Sequence, residues 1–186
     1  MSEVLNFLIH RHSYPKLMGP APSHEQLDAM FSAAIAAPDH GQLQPYRFRV
    51  FDIDHLSELG EHFENALRAE SGHEQKALDK ARNLPTRAPM VIVAICHQTP
   101  DHPKAPAQEQ LITAALATFQ VINAAEALGF GAYWRTGDLA YKASLAKQLK
   151  LKENESIIGF IYVGTPDGEP KSSKKSLTSA DIWRLG

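Results

Sequence analysis

The sequence predicts an α+β fold with a mixed sheet, in one domain that spans residues 1–186. Segments with helical spacing of apolar residues alternate with strand-like runs, and no repeat or linker divides them. The run from Pro89 to Cys96 is almost continuously apolar and β-branched, which is typical of a central strand covered on both faces. The segment from Gln108 to Leu128 carries apolar residues on nearly every face of a helix, so it should be buried, either inside the domain or against a second copy.

The elements before the central strand follow from apolar spacing and from capping residues. Residues 3–11 have the spacing of a short amphipathic helix. Ser23 as N-cap, with Gln26 completing a capping box, predicts a second helix that ends at Pro38. A strand, a helix and a polar stretch that forms a surface helix and loop are then expected at about 46–52, 56–69 and 70–83.

The elements after the long helix begin at Gly129, which ends that helix as a C′ glycine. A short strand, a helix and a last core strand are expected at about 130–135, 139–150 and 157–164. The remaining residues are polar and rich in lysine, and they do not indicate a separate domain.

Charge and cysteine content exclude several classes of function. Lys and Arg number 19 against 21 Asp and Glu, a formal charge of −2, so a nucleic acid or an anionic membrane is not an expected partner. The single cysteine, Cys96, excludes an internal disulfide and a cysteine-based zinc cluster. No leader-like segment and no apolar run of about 18 residues is present, so we expect a cytosolic protein outside the membrane.

Common catalytic and binding motifs are also missing. There is no phosphate-binding Gly-x-x-x-x-Gly-Lys loop and no Gly-x-Ser-x-Gly nucleophile elbow. Gly129-Phe130-Gly131 lacks the third glycine of a dinucleotide fingerprint and follows a helix, so it is interpreted as a helix stop. His97 and His102 lie in a proline-rich loop without an obvious third ligand, so no metal site is expected.

The first polar patch is Arg11-His12-Ser13, at the end of the first helix. A guanidinium and a hydroxyl suit a phosphate or the carbonyl edge of a ring. The alternative is that basic residues here only complement the helix dipole.

The second patch lies in the loop from Pro38 to Pro45, between a helix and a strand. His40, Gln42 and Gln44 alternate along this segment, so an extended backbone would point them the same way. Amides offer donors and acceptors that match a heterocycle whose edge alternates between C=O and N–H. The loop is therefore interpreted as a binding loop on a rigid scaffold.

The third and fourth patches follow the last two predicted strands. Trp134, Arg135, Thr136 and Gly137 combine an aromatic ring, a cation, a hydroxyl and a flexible backbone, which suits a flat ligand. The alternative for the tryptophan is a core anchor. The lysine-rich segment 171–175 contains Lys174, and such a cluster is usually a solvated charge run.

These patches, in this order, resemble the FMN-dependent nitroreductase family over nearly the whole chain. Arg11-His12-Ser13 stands where the family has its amino-terminal Arg-[Arg/His]-Ser. The segment from Ala37 to Tyr46 is similar to the family's Ala-Pro-Ser-x-x-Asn-x-Gln-Pro-Trp, and its Asp-His variant resembles a compact bacterial subgroup with a Trp-Arg-Ser/Thr-Gly stretch, here Trp134–Gly137. The strand from Ile158 resembles the family's last core strand.

The resemblance implies a nitroreductase-like fold with a mainly antiparallel sheet flanked by helices, as an intertwined homodimer with two FMN sites built from both subunits. It implies an oxidoreductase in which NADH or NADPH reduces FMN at N5, after which a nitroaromatic or quinone takes the electrons in a ping-pong mechanism. No catalytic side chain is implied, because the flavin carries the chemistry. The implied FMN contacts are Arg11, His12, Ser13, His40, Gln42, Gln44, Trp134, Arg135, Thr136, Gly137 and Lys174.

Two other readings remain open from the sequence. One is a flavin-binding protein without turnover, which serves as a store or a sensor. The other is a related flavin enzyme that reduces an enone or a halogenated ring. The resemblance favours the reductase by analogy alone.

Overall fold

The computed structural model describes residues 2–170 and 177–184, in which helices and strands alternate along the chain. The helices are α1 (Glu3–His10), α2 (His24–Ile35), α3 (Leu56–Arg68), α4 (Gln75–Arg82), α5 (Ala107–Ala127), α6 (Gly137–Ala140) and α7 (Ala143–Gln148). The strands are β1 (Leu17–Met18), β2 (Tyr46–Phe51), β3 (Met90–His97), β4 (Gly131–Arg135) and β5 (Glu155–Pro166). Short 3₁₀ turns lie at Pro85–Arg87 and Ser179–Asp181.

The long strand β5 holds the sheet together. It pairs with β3 along one edge and with β4 along the other, and its last two residues pair with β1. The strand β2 pairs with β3, from Tyr46 opposite Cys96 to Phe51 opposite Val91. Every pair among the described residues is antiparallel, which confirms the α+β class and the mainly antiparallel sheet. The parallel component expected of a mixed sheet is not found in this part of the chain.

Alternate side chains of β3 enter two separate cores, as the period of two in a strand requires. Val91 and Val93 belong to a cluster with residues of α3, α4 and α7, on the side that we call the α3 face. Ile92 and Cys96 belong to a second cluster with residues of α2 and α5, on the α5 face. The prediction of a central strand covered on both faces is confirmed.

Local capping and close packing fix the helices that flank the sheet. Ser23 and Gln26 form the predicted capping box at the start of α2. In the polar stretch from 70 to 83, the helix α4 buries Leu78 and Ala81. The Cβ of any residue larger than glycine at Gly60 of α3 would collide with the carbonyl oxygen of Arg82, so α3 and α4 pack closely through a glycine.

The helix predicted at 139–150 is divided into α6 and α7. Lys142 leaves the helical conformation, with φ −83° and ψ 123°, and begins α7 as its N-cap. Its ammonium lies 2.5 Å from a carboxylate oxygen of Glu70, in the connection between α3 and α4. Lys142 is thus extended and forms an ion pair with a distant segment of the chain. The helical spacing of apolar residues alone cannot predict this break.

The helix α5 is buried along one stripe and exposed along the other. Val121 and Ala117 are fully buried against the sheet. Large apolar side chains on the opposite stripe are between 36% and 51% exposed, namely Leu111, Ile112, Leu116 and Phe119. One chain therefore buries only one stripe of the helix. Of the two alternatives expected from the sequence, burial of the other stripe against a second copy of the chain stays open. None of the helices that the structure describes is long and apolar enough to cross a bilayer.

Candidate functional site

A cavity of about 680 Å³ opens on the α3 face, beside the end of β4. One wall is the continuous stretch from Tyr133 to Leu139, which includes the whole third patch. Another wall comes from α4 and the turn that follows it. Aromatic residues contribute to the lining, with Tyr133 partly buried and Phe63, Phe160 and Tyr162 almost fully buried. The lining of the cavity therefore combines apolar and aromatic groups with charged ones.

Arg135 places a guanidinium between two of these rings. Its Cζ lies 4.2 Å from the ring centre of Tyr133 and 5.4 Å from that of Tyr162. The two tyrosine faces stabilise the cation. The Nε atom is buried and has no hydrogen-bond partner within the part of the chain that the structure describes. Because an unpaired buried donor is costly, this atom fits a ligand that presents an oxygen to it.

Tyr162 contributes a hydroxyl that stays protonated. Burial raises the pKa of this phenol to about 12, against the opposing effect of the positive charges of Arg135 and Arg87. The side chain therefore remains a neutral hydrogen-bonding group at any physiological pH.

Trp134 points to the other face of the sheet, where it packs against the α5-face core. Its indole Nε1 contacts the position that a Cβ on Gly159 would occupy, so a glycine in β5 makes room for the ring. The tryptophan therefore acts as a core anchor. Thr136 and Gly137 follow it at the cavity, both exposed, with Gly137 at φ 64°.

The first patch lies near the beginning of β4, the strand whose end carries the third patch. The N–H of Tyr14 donates to the carbonyl of Ala132 at 3.0 Å, which fixes the segment after Ser13 against β4. The distance from Ala132 to Arg135 along the strand is about 10 Å. The structure thus brings the first and third patches to one strand.

Arg11 itself faces the end of α5. Its Nε lies 3.9 Å from Oε2 of Glu126, and both atoms are buried without a hydrogen-bond partner among the described residues. The other oxygen of Glu126 accepts the N–H of His12 at 3.1 Å. The ring of Phe119 lies 5.4 Å below the guanidinium. Ser13 is exposed.

The second patch has a different backbone from the extended one expected. Gln42 and Gln44 adopt the left-handed conformation, with φ 53° and 48°, and Gly41 has φ 82°. Asp39 causes this curl, because its carboxylate accepts the N–H of Gln44 at 2.6 Å and its carbonyl accepts that of Gln42 at 3.2 Å. The expectation that three side chains point the same way along a strand is wrong. Left-handed residues other than glycine are strained, which is typical of functional loops.

The second patch also lies far from the first. Nδ1 of His40 is 2.6 Å from Oε2 of Glu109, in the first turn of α5. Glu126, beside Arg11, is in the last turn of this helix. The two acids are separated by about 26 Å along the axis, at 1.5 Å per residue. One chain does not bring these patches together. Lys174, the fourth predicted contact, lies outside the described residues.

The cavity contains cations that the sequence analysis missed. Arg87 lies in the turn before β3, and Lys80 lies on α4. No local motif marks either residue, because both reach the cavity only through the packing of α4 on α3. Within the described residues, no group of three His, Cys, Asp or Glu side chains could hold a metal ion. The arrangement is suited to binding a planar ligand that carries negative charge or carbonyl oxygens.

Comparison with known proteins identifies relatives over most of the chain. The model of the nitroreductase family matches residues 8–165. The chain is 36% identical over 171 residues to the Escherichia coli K12 protein named "Putative NAD(P)H nitroreductase YdjA", covering 92% of each chain. It is 37% identical over 163 residues to a Haemophilus influenzae protein named "Putative NAD(P)H nitroreductase", covering 88% of each.

Solved structures of low sequence identity share the fold. A nitroreductase-like protein from Bacillus cereus superimposes with a TM-score of 0.84 at 18% identity, over 100% of this chain and 97% of that one. A protein from Desulfovibrio desulfuricans, described as a putative nitroreductase in complex with FMN, has a TM-score of 0.77 at 22% identity, over 100% and 98% of the chains. At these identities the likeness establishes the fold alone.

Proposed function

Because the chain belongs to the nitroreductase family, we propose that residues 1–186 form one FMN-binding domain of a cytosolic NAD(P)H oxidoreductase. The acceptors are nitroaromatics, quinones or similar electron-poor compounds. The observation that carries the proposal is the cavity beside β4, where the unpaired Nε of Arg135 lies among aromatic rings at the family's Trp-Arg-Ser/Thr-Gly stretch. A flavin supplies the planar ring and the oxygen-bearing edge that such a wall can bind.

FMN, when bound, would supply the redox chemistry through N5, which is hydride uptake from NADH or NADPH and two-electron transfer to the acceptor in a ping-pong sequence. The residues of this chain bind and orient it. Arg135 offers a cation and a buried N–H to a carbonyl or anionic edge of the ring. Thr136 and Gly137 offer an exposed backbone beside the cavity, which a flat ligand can approach closely.

The phosphate end is assigned to the first patch and to the tail. Arg11 and Ser13 offer a guanidinium and a hydroxyl, with the backbone of His12 held in place by Glu126. Lys174 is proposed as a second phosphate contact on the basis of the resemblance. Glu126 balances part of the charge of Arg11, so a dianionic phosphate requires further cations of this kind.

The second patch completes the site from a second subunit. An antiparallel pair of α5 helices, related by a two-fold axis near their midpoints, places the first turn of one beside the last turn of the other. His40, Gln42 and Gln44 of one chain then lie near Arg11 of its partner. The exposed apolar stripe of α5 supplies the surface that this homodimer buries. We therefore propose a homodimer with two sites, each built from both chains.

The experiment that tests the proposal begins with the colour of the purified protein. A yellow protein with a flavin spectrum, bleached by anaerobic NADH or NADPH and recoloured by a quinone or nitroaromatic, is the expected result. FMN should bind more tightly than riboflavin, because only FMN presents a phosphate to Arg11. A yellow protein that neither nicotinamide bleaches would indicate the alternative, a flavin store or sensor. A colourless protein that does not bind added FMN would overturn both.

A further inference from the structure

The cations around the cavity exceed the anions, although the whole chain is slightly acidic. Arg87, Arg135 and Lys80 line it, and Asp138 is the one carboxylate among the described residues of its wall. Lys142 also lines the cavity, but its charge is paired with Glu70 at 2.5 Å. The cavity is therefore a local region of positive potential in a nearly neutral protein.

Two of these cations are unpaired among the residues that the structure describes. Arg87 and Lys80 make no hydrogen bond or ion pair within the described part of the chain, and both are exposed at the cavity. Other basic side chains of the same region are paired, as Arg82 and Arg68 are with Glu64. An exposed cation beside an apolar wall is available to the anionic group of a ligand, and its contribution is that of a partly solvated charge pair.

The two free cations come from α4 and the turn after it, and not from the strand that carries the family stretch. The partly buried apolar side chains of Leu67, Leu84 and Tyr133 line the same cavity. A ligand that uses both features has an aromatic ring with an anionic substituent. The negative group contacts Arg87 and Lys80 while the ring packs on these apolar side chains.

We propose, on the basis of the function proposed above, that the acceptors this enzyme prefers are aromatic compounds bearing a carboxylate or a similar anion, selected by Lys80 and Arg87. For a nitro compound, one turnover consumes NAD(P)H and a proton and converts the nitro group to a nitroso group, with release of NAD(P)⁺ and water. The carboxylate is unchanged in this reaction, and its role is to orient the ring.

The test compares 4-nitrobenzoate with neutral 4-nitrobenzamide as acceptors for the FMN-loaded protein. In Lys80→Gln and Arg87→Gln, the ratio of kcat/KM for the anion to that for the amide should fall about three- to tenfold, the range expected of partly exposed charge pairs. Lys76→Gln, an exposed lysine of α4 outside the cavity wall, should leave the ratio unchanged. Added salt should lower the ratio in the wild type and less so in the variants.

A ratio that is equal in wild type and both variants would overturn the inference. A fall in kcat/KM for NADH or NADPH, with the acceptor ratio unchanged, would also overturn it, because the cations would then serve the dinucleotide. Calorimetric titration with 4-nitrobenzoate and 4-nitrobenzamide gives the same comparison without turnover. Absence of turnover with both compounds would count against the proposed function alone, while a binding ratio that is equal in wild type and both variants would count against the present inference.

Discussion

Arg11 and His40 lie at opposite ends of α5, where each faces a glutamate of that helix. Arg11 Nε is 3.9 Å from Glu126 in the last turn, and His40 Nδ1 is 2.6 Å from Glu109 in the first turn. The motifs that contain these two residues resemble parts of one FMN site, yet a helix length of about 26 Å separates them. A single ligand the size of FMN cannot contact both within one chain, so the relationship itself favours a site shared between subunits.

Leu116→Lys should break the proposed homodimer. Leu116 is 39% exposed and lies near the midpoint of α5, where the two-fold axis would pass. The dimer would lose the burial of the exposed 39% of two leucine side chains, about 0.6–1.2 kcal/mol each, and would hold two like charges near its axis. Its dissociation constant should therefore rise by at least about tenfold. Sedimentation velocity over a dilution series measures the change.

The control for this variant is Ile53→Lys, a similar change at a residue that is 69% exposed and remote in sequence from α5. It should leave both the dimer and FMN binding intact. If Leu116→Lys remained dimeric with unchanged affinity, α5 would not form the interface. If it became a monomer that still bound FMN tightly, the site would be complete within one chain.

Arg11→Ala should weaken FMN binding about 10- to 100-fold, the loss expected when a charged hydrogen bond is removed. Flavin reduction by NADH or NADPH should also slow, because Arg11 helps to hold the cofactor in place. Fluorescence titration and anaerobic stopped-flow absorbance give the two quantities. Lys16→Ala, at an exposed lysine nearby, is the matched control. Unchanged FMN affinity and reduction rate in Arg11→Ala would remove Arg11 from the site.

The sequence was sufficient where the signal is local. The capping box of Ser23 and Gln26 involves residues three apart, and it forms as expected. The run of β-branched residues in β3 predicts a strand buried on both faces, because the side chains that point to either face of the sheet are apolar. The resemblance to the family is likewise carried by short motifs of neighbouring residues, which can be recognised without knowledge of the fold.

The sequence was insufficient where a contact joins distant segments. The backbone of the second patch curls because the Asp39 carboxylate accepts the N–H of Gln44. The alternating polar residues of this loop suggest an extended backbone, and they give no sign of this hydrogen bond. Arg87 enters the cavity because α4 packs on α3 through Gly60. No spacing rule predicts such packing, so the cations of the cavity became visible only in three dimensions.

Gly159→Ala should destabilise the protein and disturb the end of β4. The new Cβ would collide with Nε1 of Trp134, and it would lie 2.8 Å from Cδ1 of that ring and 3.0 Å from the carbonyl oxygen of Arg135. Overpacking of this kind costs about 1–3 kcal/mol. The melting temperature should fall by about 2–12 °C in a chain of this size.

FMN affinity should fall in the same variant, because Trp134 positions the residues that follow it at the cavity. Gly19→Ala is the control, since a Cβ there meets no atom within 4 Å. A Gly159→Ala protein with wild-type melting temperature and wild-type FMN affinity would mean that the tryptophan can move without cost. The packing of Trp134 on β5 would then have no influence on the cavity.

Glu64→Gln should change the dependence of stability on pH. Hydrogen bonds from Arg68 and Arg82 lower the pKa of Glu64 below its ordinary value of 4.5. A carboxylate whose pKa is lower in the folded state stabilises the protein at pH values above the unfolded pKa, and this stability is lost as the pH falls through the folded pKa. The wild type should therefore melt at a higher temperature than Glu64→Gln at pH 6, and the difference should shrink steadily below about pH 4.5. Glu153→Gln, at an exposed acid, should follow the wild type at every pH. A difference between wild type and Glu64→Gln that stayed constant from pH 6 to pH 3 would mean that shape and packing, and not charge, account for the role of Glu64 between α3 and α4.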